Sequence, residues 1–262
     1  MEEHITVESG LGQCGDYRPA TIHLLAVNNN SIDFIDGFLK SLDDQTLTRF
    51  DVTIVNRKST DGSWEKIDSW RPRGGIVLRK KAGGCVGPYE DDNMFSYINM
   101  AALMSLSKNE KAYICPINIS DRLTTAALKI MRFYAADFED VDVFYPNFKI
   151  VDDKEYNNII GYQNWPEYSY ENLLKENLCE CAPLIRGKTF IEAASYDTEF
   201  KYAANYDLFL RLSSAGAKFK LIEEVIGSHY EVLQSPEILA ESNEEIDYVR
   251  QLHMPISYDE TL

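Results

Sequence analysis

Positive charge is scarce in this 262-residue chain: 26 lysines and arginines stand against 42 aspartates and glutamates, a formal net charge of −16. A surface of that sign repels nucleic acid and anionic bilayers, which excludes nonspecific binding to either. A small anionic ligand in a locally basic pocket remains compatible with it. No run approaches the ~18 apolar residues of a membrane span. The opening MEEHITVESGLGQCGDYRP has no basic stretch leading into an apolar one, so no secretory signal is expected there and the expected location is cytoplasmic. Nucleophile-elbow, phosphate-loop, zinc-helix and GxGxxG motifs are all missing, which removes several enzyme classes.

Histidine and cysteine are also sparse. His4, His23, His229 and His253 are too scattered to suggest a histidine-rich metal site. His23 lies in an apolar run and reads as structural, whereas His229, in IGSHY, is the one histidine with a functional reading beside the structural one. The cysteines (Cys14, Cys85, Cys115, Cys179, Cys181) are odd in number and irregularly spaced. Cys179-Glu180-Cys181 invites a metal or redox reading, but no second pair or nearby histidine completes it, so reduced thiols are expected.

What is present is an alternation of strands and helices. Residues 1–20 read as an N-terminal arm. Apolar runs at 21–27, 51–56, 75–80 and 112–117 have the length of buried strands. Between them, Phe34, Ile35, Phe38, Leu39 and Leu42 share one helical face, with Ser31 or Asp33 as a cap, and Ile98, Ala101, Ala102, Ser105 and Leu106 share another. The pattern predicts an α/β domain with a Rossmann-like, mainly parallel central sheet and helices on both faces. A smaller, less regular second region is expected over 124–235: a helix at 124–138, a strand at 141–151, an aromatic-rich loop at 156–170, a helix at 206–215 stopped by Gly216 and a strand at 218–226. A C-terminal helix and tail occupy 236–262. Such sheets bind ligands at the carboxyl ends of their strands. The polar clusters Asn28–Asn30, Asn56–Lys58 and Asn118–Arg122 all fall at such ends.

In order along the chain, IHLLAVNNNSIDFIDGFLKSLDDQT, FDVTIVNRKSTDGS, SYINMAALMSL with Asn99, YICPINISDRL and AANYDLFLRLSSAGAKFKLIEEVIG resemble the successive motifs of family 2 glycosyltransferases. The resemblance covers roughly Thr21 to Tyr230. It implies a GT-A fold, with 124–235 as its smaller acceptor-side region, and inverting transfer from a nucleotide-sugar donor, held by Asn28, Asn30, Asn56, Arg57, Lys58, Asn99, Asn118, Ser120 and Arg122, to a glycan, lipid-linked or other hydroxyl acceptor. The motifs are, however, depleted of acids. Asn56 and Arg57 stand where the family has an acidic pair, Asn118 and Ser120 replace the two aspartates of its metal motif, and Ala204 and Asn205 replace its Glu-Asp pair. Asp121 is the acid that survives.

A divalent ion on a diphosphate needs anionic oxygens, so Asp121, with His229 as a further candidate ligand, implies Mg²⁺ or Mn²⁺ bound weakly or not at all. Arg57, Lys58 and Arg122 offer positive charge in its place. Asn205, at the family's base position, cannot accept a proton near neutral pH, and Asp207 is the nearest substitute. Both also have a structural reading, Asn205 as a helix cap and Asp207 as a first-turn acid. Glu90-Asp91-Asp92 reads mainly as a solvated helix start. Three functions are therefore carried forward: an active glycosyltransferase, a catalytically impaired member kept for binding or as a partner subunit, and a nucleotidyltransferase with a related sheet. The last is the weakest, because Asn28-Asn29-Asn30 is not a Gly-rich basic loop.

Overall fold

The run IHLLAVN forms an inner strand of the sheet in a computed structural model, which describes residues 21–71, 77–81, 93–107, 109–231 and 234–254. Along the chain the elements are β1 (Ile22–Asn28), α1 (Ile32–Asp43), β2 (Asp51–Asn56), α2 (Ser63–Ser69), β3 (Val77–Lys81), α3 (Met94–Leu106) and β4 (Tyr113–Pro116). They continue with β5 (Arg122–Leu123), α4 (Ala127–Asp137), β6 (Val143–Val151), β7 (Ile159–Gln163), α5 (Tyr170–Lys175) and β8 (Leu184–Arg186). The last are α6 (Gly187–Glu192), α7 (Ala204–Ser214), β9 (Phe219–Tyr230) and α8 (Pro236–His253).

The sheet runs β3-β2-β1-β4-β8-β6-β9-β5, with β7 on β6. Strands β3, β2, β1 and β4 are mutually parallel, as their helical crossovers require, so their carboxyl ends open on one side. Strand β8 enters antiparallel between β4 and β6, and β6 then pairs parallel with β9.

Period-two alternation divides the strand side chains between two cores. Leu24, Ala26, Val52 and Ile54 pack with α1, α2 and α4, whereas Leu25, Val55 and Ile114 pack with α3 and α7. The buried face of α3 holds Ile98, Ala101, Ala102, Ser105 and Leu106, as its spacing predicts. His23 is buried and structural: its Nε2 lies 3.0 Å from Thr53 Oγ1, which lies 3.0 Å from Ser105 Oγ. Burial without these partners would cost each polar group on the order of 1–3 kcal/mol. Gln45, in the DDQT end of the first motif, joins α1 to α4. Its Nε2 donates to the carbonyls of Ser41 and Thr124 (2.9 and 2.8 Å), and its Oε1 accepts from Leu128 N–H at 3.1 Å.

Several local expectations are corrected. The aromatic segment is not all loop: Ile159–Gln163 adds an edge strand to β6, and Tyr170 opens α5. Helix α7 begins at Ala204, so Asn205 sits inside its first turn rather than capping it. Glu245 of α8 receives the Tyr202 and Ala203 N–H groups instead, the latter at 2.6 Å. Ser31 is at the N-cap of α1 but makes no side-chain cap, and Asp61 accepts from Ile32 N–H at 2.8 Å in its place. In both helices a side chain distant in sequence satisfies donors that local residues leave open. Residues 1–20 and Glu90-Asp91-Asp92 lie outside the described residues.

Candidate active site

The site is built where β1, β2 and β4 end. Asn28 and Asn56 close their strands side by side in the parallel register and are buried. Asn28 Nδ2 donates to Asn56 Oδ1 at 2.9 Å, Ser63 Oγ at 3.0 Å and Ser59 Oγ at 3.1 Å, two N–H groups shared among three acceptors. Ser59 Oγ also accepts from Asn30 N–H at 2.9 Å, and Asn30 Oδ1 from Thr60 N–H at 2.9 Å. Asp61 anchors this loop pair through Ser63 and Ile32. Burial works against its charge, and the hydrogen bonds from Ser63 and Ile32 outweigh that, holding its carboxyl below the usual carboxylate range. Between them the chain turns at Lys58, exposed with φ 51°, after half-buried Arg57. The network fixes the backbone beneath these two cations.

The β4 end carries Asn118, Ser120, Asp121 and Arg122. Asn118 is exposed and Ser120 partly so, but Asp121 is fully buried. Its Oδ1 lies 2.8 Å from Nδ1 of His229, and its Oδ2 accepts from Asn118 N–H at 3.2 Å. Burial opposes a charge on His229, but the bond and charge of Asp121, with Glu180 and Glu231, prevail and raise its pKa. His229 is inside β9 rather than beyond it. Among the described residues no group of three or more His, Cys, Asp or Glu side chains is placed to hold a metal ion. The chemistry of this donor set also does not suit a divalent cation on a diphosphate: Asn118 and Ser120 are neutral, and both oxygens of the surviving carboxylate are engaged by protein.

Arg122 is turned into the protein. Nη1 donates to the carbonyls of Ile119 (3.0 Å) and Asp121 (2.9 Å), and Nη2 to that of Phe34 (2.7 Å). Its guanidinium carbon stands 4.4 Å from the centre of the Tyr156 ring, whose hydroxyl donates to Ser120 O. It packs so closely on α1 that a Cβ at Gly37 would fall 2.4 Å from Nε.

Asn205 faces the crevice: Nδ2 donates to Cys179 O and Oδ1 accepts from Tyr196 OH, both at 3.3 Å. Asp207, one turn-face away, is buried against Arg211 (Nε, 2.7 Å) and His253 (Nε2, 3.2 Å). Asn99 clamps α3 to the segment before α7, donating to Tyr196 O at 2.8 Å and accepting from its N–H at 3.0 Å. Of the aromatics expected near an acceptor, Trp165 is buried, Tyr168 stacks on Phe219 at 4.5 Å, and Tyr170 donates to His253 O at 2.6 Å. These three are packing anchors; Tyr162 is exposed.

Three adjoining clefts of about 220, 830 and 490 Å³ lie between the strand ends and α8. All three are lined by Met94 and Glu180. Val27, Asn118 and Asn205 reach the first, His229, Gln163 and Ser120 the second, and Asn205 with Lys201 the third. Gln234, Ser242, Asn243 and Ile246 form the shared outer wall. Glu180 was hidden in the sequence inside Cys-Glu-Cys. It lies in a non-strand turn where Cys179 and Cys181 are buried and Glu180 is exposed, so no local periodicity marked it.

No protein-family profile matches the chain. Two curated relatives, the chondroitin synthase of Escherichia coli and the hyaluronan synthase of Pasteurella multocida, are each 24% identical over 200 residues, 75% of this chain. The chain spans only 27% and 19% of their respective lengths. Among solved structures, S. aureus TarS 1-349 in complex with UDP superposes with TM-score 0.66 at 17% identity, covering 87% of this chain and 65% of that one. A mannosyltransferase from Pyrobaculum calidifontis in complex with GDP-Man and Mn²⁺ superposes with TM-score 0.60 at 12% identity, over 90% and 64%. The chain therefore has the GT-A glycosyltransferase fold, as the resemblance to family 2 enzymes implied. No helix among the described residues is long and apolar enough to cross a membrane.

Proposed function

We propose that the crevice binds a nucleoside-diphosphate sugar and transfers the sugar, with inversion, to a hydroxyl of a glycan or lipid-linked acceptor. The observation that carries this reading is that three polar strand ends, at Asn28, Asn56 and Asn118, open on the same side of a GT-A sheet, beside clefts that Asn118 lines. Support for the donor class comes from the solved neighbours in complex with UDP and with UDP-GlcNAc. In this reading the base and ribose lie over Asn28, Asn30 and Asn56, and the diphosphate near Asn118 and Ser120, with Arg57 and Lys58 supplying its counter-charge. The acceptor enters along α8. The reaction is a single displacement: the acceptor oxygen bonds to the anomeric carbon as the bond to the diphosphate oxygen breaks. The acceptor proton passes to a base, and the nucleoside diphosphate leaves.

The absence of a carboxylate at position 205 supports the second reading, a member kept for binding. Calorimetry with UDP-N-acetylglucosamine, GDP-mannose and dTDP-glucose, with and without Mn²⁺, followed by assay of nucleotide release, separates the two. Binding with turnover supports the transferase, binding without it supports the second reading, and silence towards every donor rejects the transferase and favours a partner-subunit role.

A further inference from the structure

The proposed transfer needs a proton acceptor, and the usual position is filled by an amide. Five carboxylates lie near enough to weigh. Asp207 is buried against Arg211 and His253 on the far side of the first turn of α7. Both oxygens of Asp121 are engaged and no part of it is exposed. Glu176 lines only the 490 Å³ cleft and Glu231 only the 830 Å³ cleft. Glu180 alone among these lines all three, between Asn118 on the donor side and Asn205 and Gln234 on the other.

The backbone that carries Glu180 is held on both sides. Asn205 Nδ2 donates to Cys179 O at 3.3 Å, and Cys115 Sγ, on β4, donates to Ala182 O at 3.5 Å. Tyr196 OH orients the Asn205 amide by donating to its Oδ1. This supplies a reason for an amide at 205: an ionised aspartate has no hydrogen for the Cys179 carbonyl and would set two oxygens against each other.

We infer that Glu180 is the general base of the proposed reaction and that Asn205 is a positioning residue, holding the Glu180 segment where an acid would itself have acted. The inference rests on the transferase reading above. Its chemistry balances: the Glu180 carboxylate takes the proton of the acceptor hydroxyl, or of water in donor hydrolysis, as the oxygen attacks the anomeric carbon and the nucleoside diphosphate departs. Although the residue as a whole is exposed, the crevice walls partly desolvate its carboxylate and raise the Glu180 pKa. The charge of His229 opposes this, and Glu176, Asp121 and Glu231 add to it, a shift in the direction that improves a base working near neutral pH.

The test uses hydrolysis of whichever of the three donors binds, so that no acceptor need be known. Glu180→Gln should bind nucleoside diphosphate as the parent protein does and unfold at the same temperature, yet release it ~10²–10⁴-fold more slowly. Azide, a nucleophile with no proton to remove, should restore release in Glu180→Ala and not in the parent, giving the glycosyl azide of inverted configuration. Hydrolysis by Glu180→Gln at the parental rate overturns the assignment while leaving the transferase reading intact. Loss of nucleotide binding together with turnover overturns it in favour of a purely structural role. A parent protein that binds a donor but never turns it over removes the base and leaves only binding, and a parent that binds none of the donors removes both proposals.

Discussion

Nδ1 of His229, on β9, lies 2.8 Å from Oδ1 of fully buried Asp121, at the end of the β4 loop, joining the two halves of the crevice. Because the pair raises the His229 pKa above its ordinary 6.5, the folded state holds the proton more tightly than the unfolded chain. The stabilisation is therefore fully present below about pH 6.5 and is lost as the pH rises through the raised value. Urea midpoints measured from pH 6 upward should fall, and His229→Gln should flatten that part of the curve. Removing the imidazole altogether should cost about 1–3 kcal/mol, since it leaves a buried carboxylate oxygen unpaired.

Arg122 and Gly37 form a second contact that distinguishes folding from binding. Gly37→Ala places a methyl 2.4 Å from Arg122 Nε and should destabilise by about 1–3 kcal/mol through overpacking. Arg122→Lys should likewise lower the melting temperature, because a compact ammonium lacks the planar fork that reaches the carbonyls of Phe34, Ile119 and Asp121 while lying on the Tyr156 ring. A phosphate-binding Arg122 would instead give a lysine variant of unchanged stability and weakened nucleotide affinity.

Lys58 and Arg57 carry the opposite expectation. If they supply the counter-charge to a diphosphate, Lys58→Ala and Arg57→Ala should each weaken nucleoside-diphosphate binding by about 1.5–3 kcal/mol, the range of a charged hydrogen bond, with the loss smaller at high salt. Calorimetry at two ionic strengths reads this directly. Equal affinities in parent and variants would remove both residues from the site.

Ala194 and Ser195 adopt φ of 62° and 63°, and Arg211 holds the turn through the carbonyls of Ala193 and Ser195, the latter at 2.8 Å. Side chains with a Cβ are strained there by roughly 1–2 kcal/mol each, part of which glycine loses again to chain entropy. Ala194→Gly should therefore raise stability by up to about 1 kcal/mol in a denaturant titration. A fall in stability would show that the methyl of Ala194 packs better than its backbone strains.

The periodic part of this protein is written in its local spacing. Strands β1, β2 and β4 and the apolar faces of α1 and α3 are local patterns, buried on both sides of a sheet, and they appear as spacing before any contact is known. Asn28, Asn56 and Asn118 could be placed at the opening of the sheet for the same reason, because parallel strands must end on one side. Where each side chain points, and what it meets, follows instead from long-range packing. Asp207 is in the expected turn but is engaged by His253 from the C-terminal helix, and Arg122 is in the expected loop but is drawn inward by the carbonyl of Phe34. Glu180 gained its position from Asn205 and Cys115, 25 and 65 residues away in the chain. Hydrogen bonds of that range leave no periodic trace, since they depend on which surfaces the packed sheet brings together.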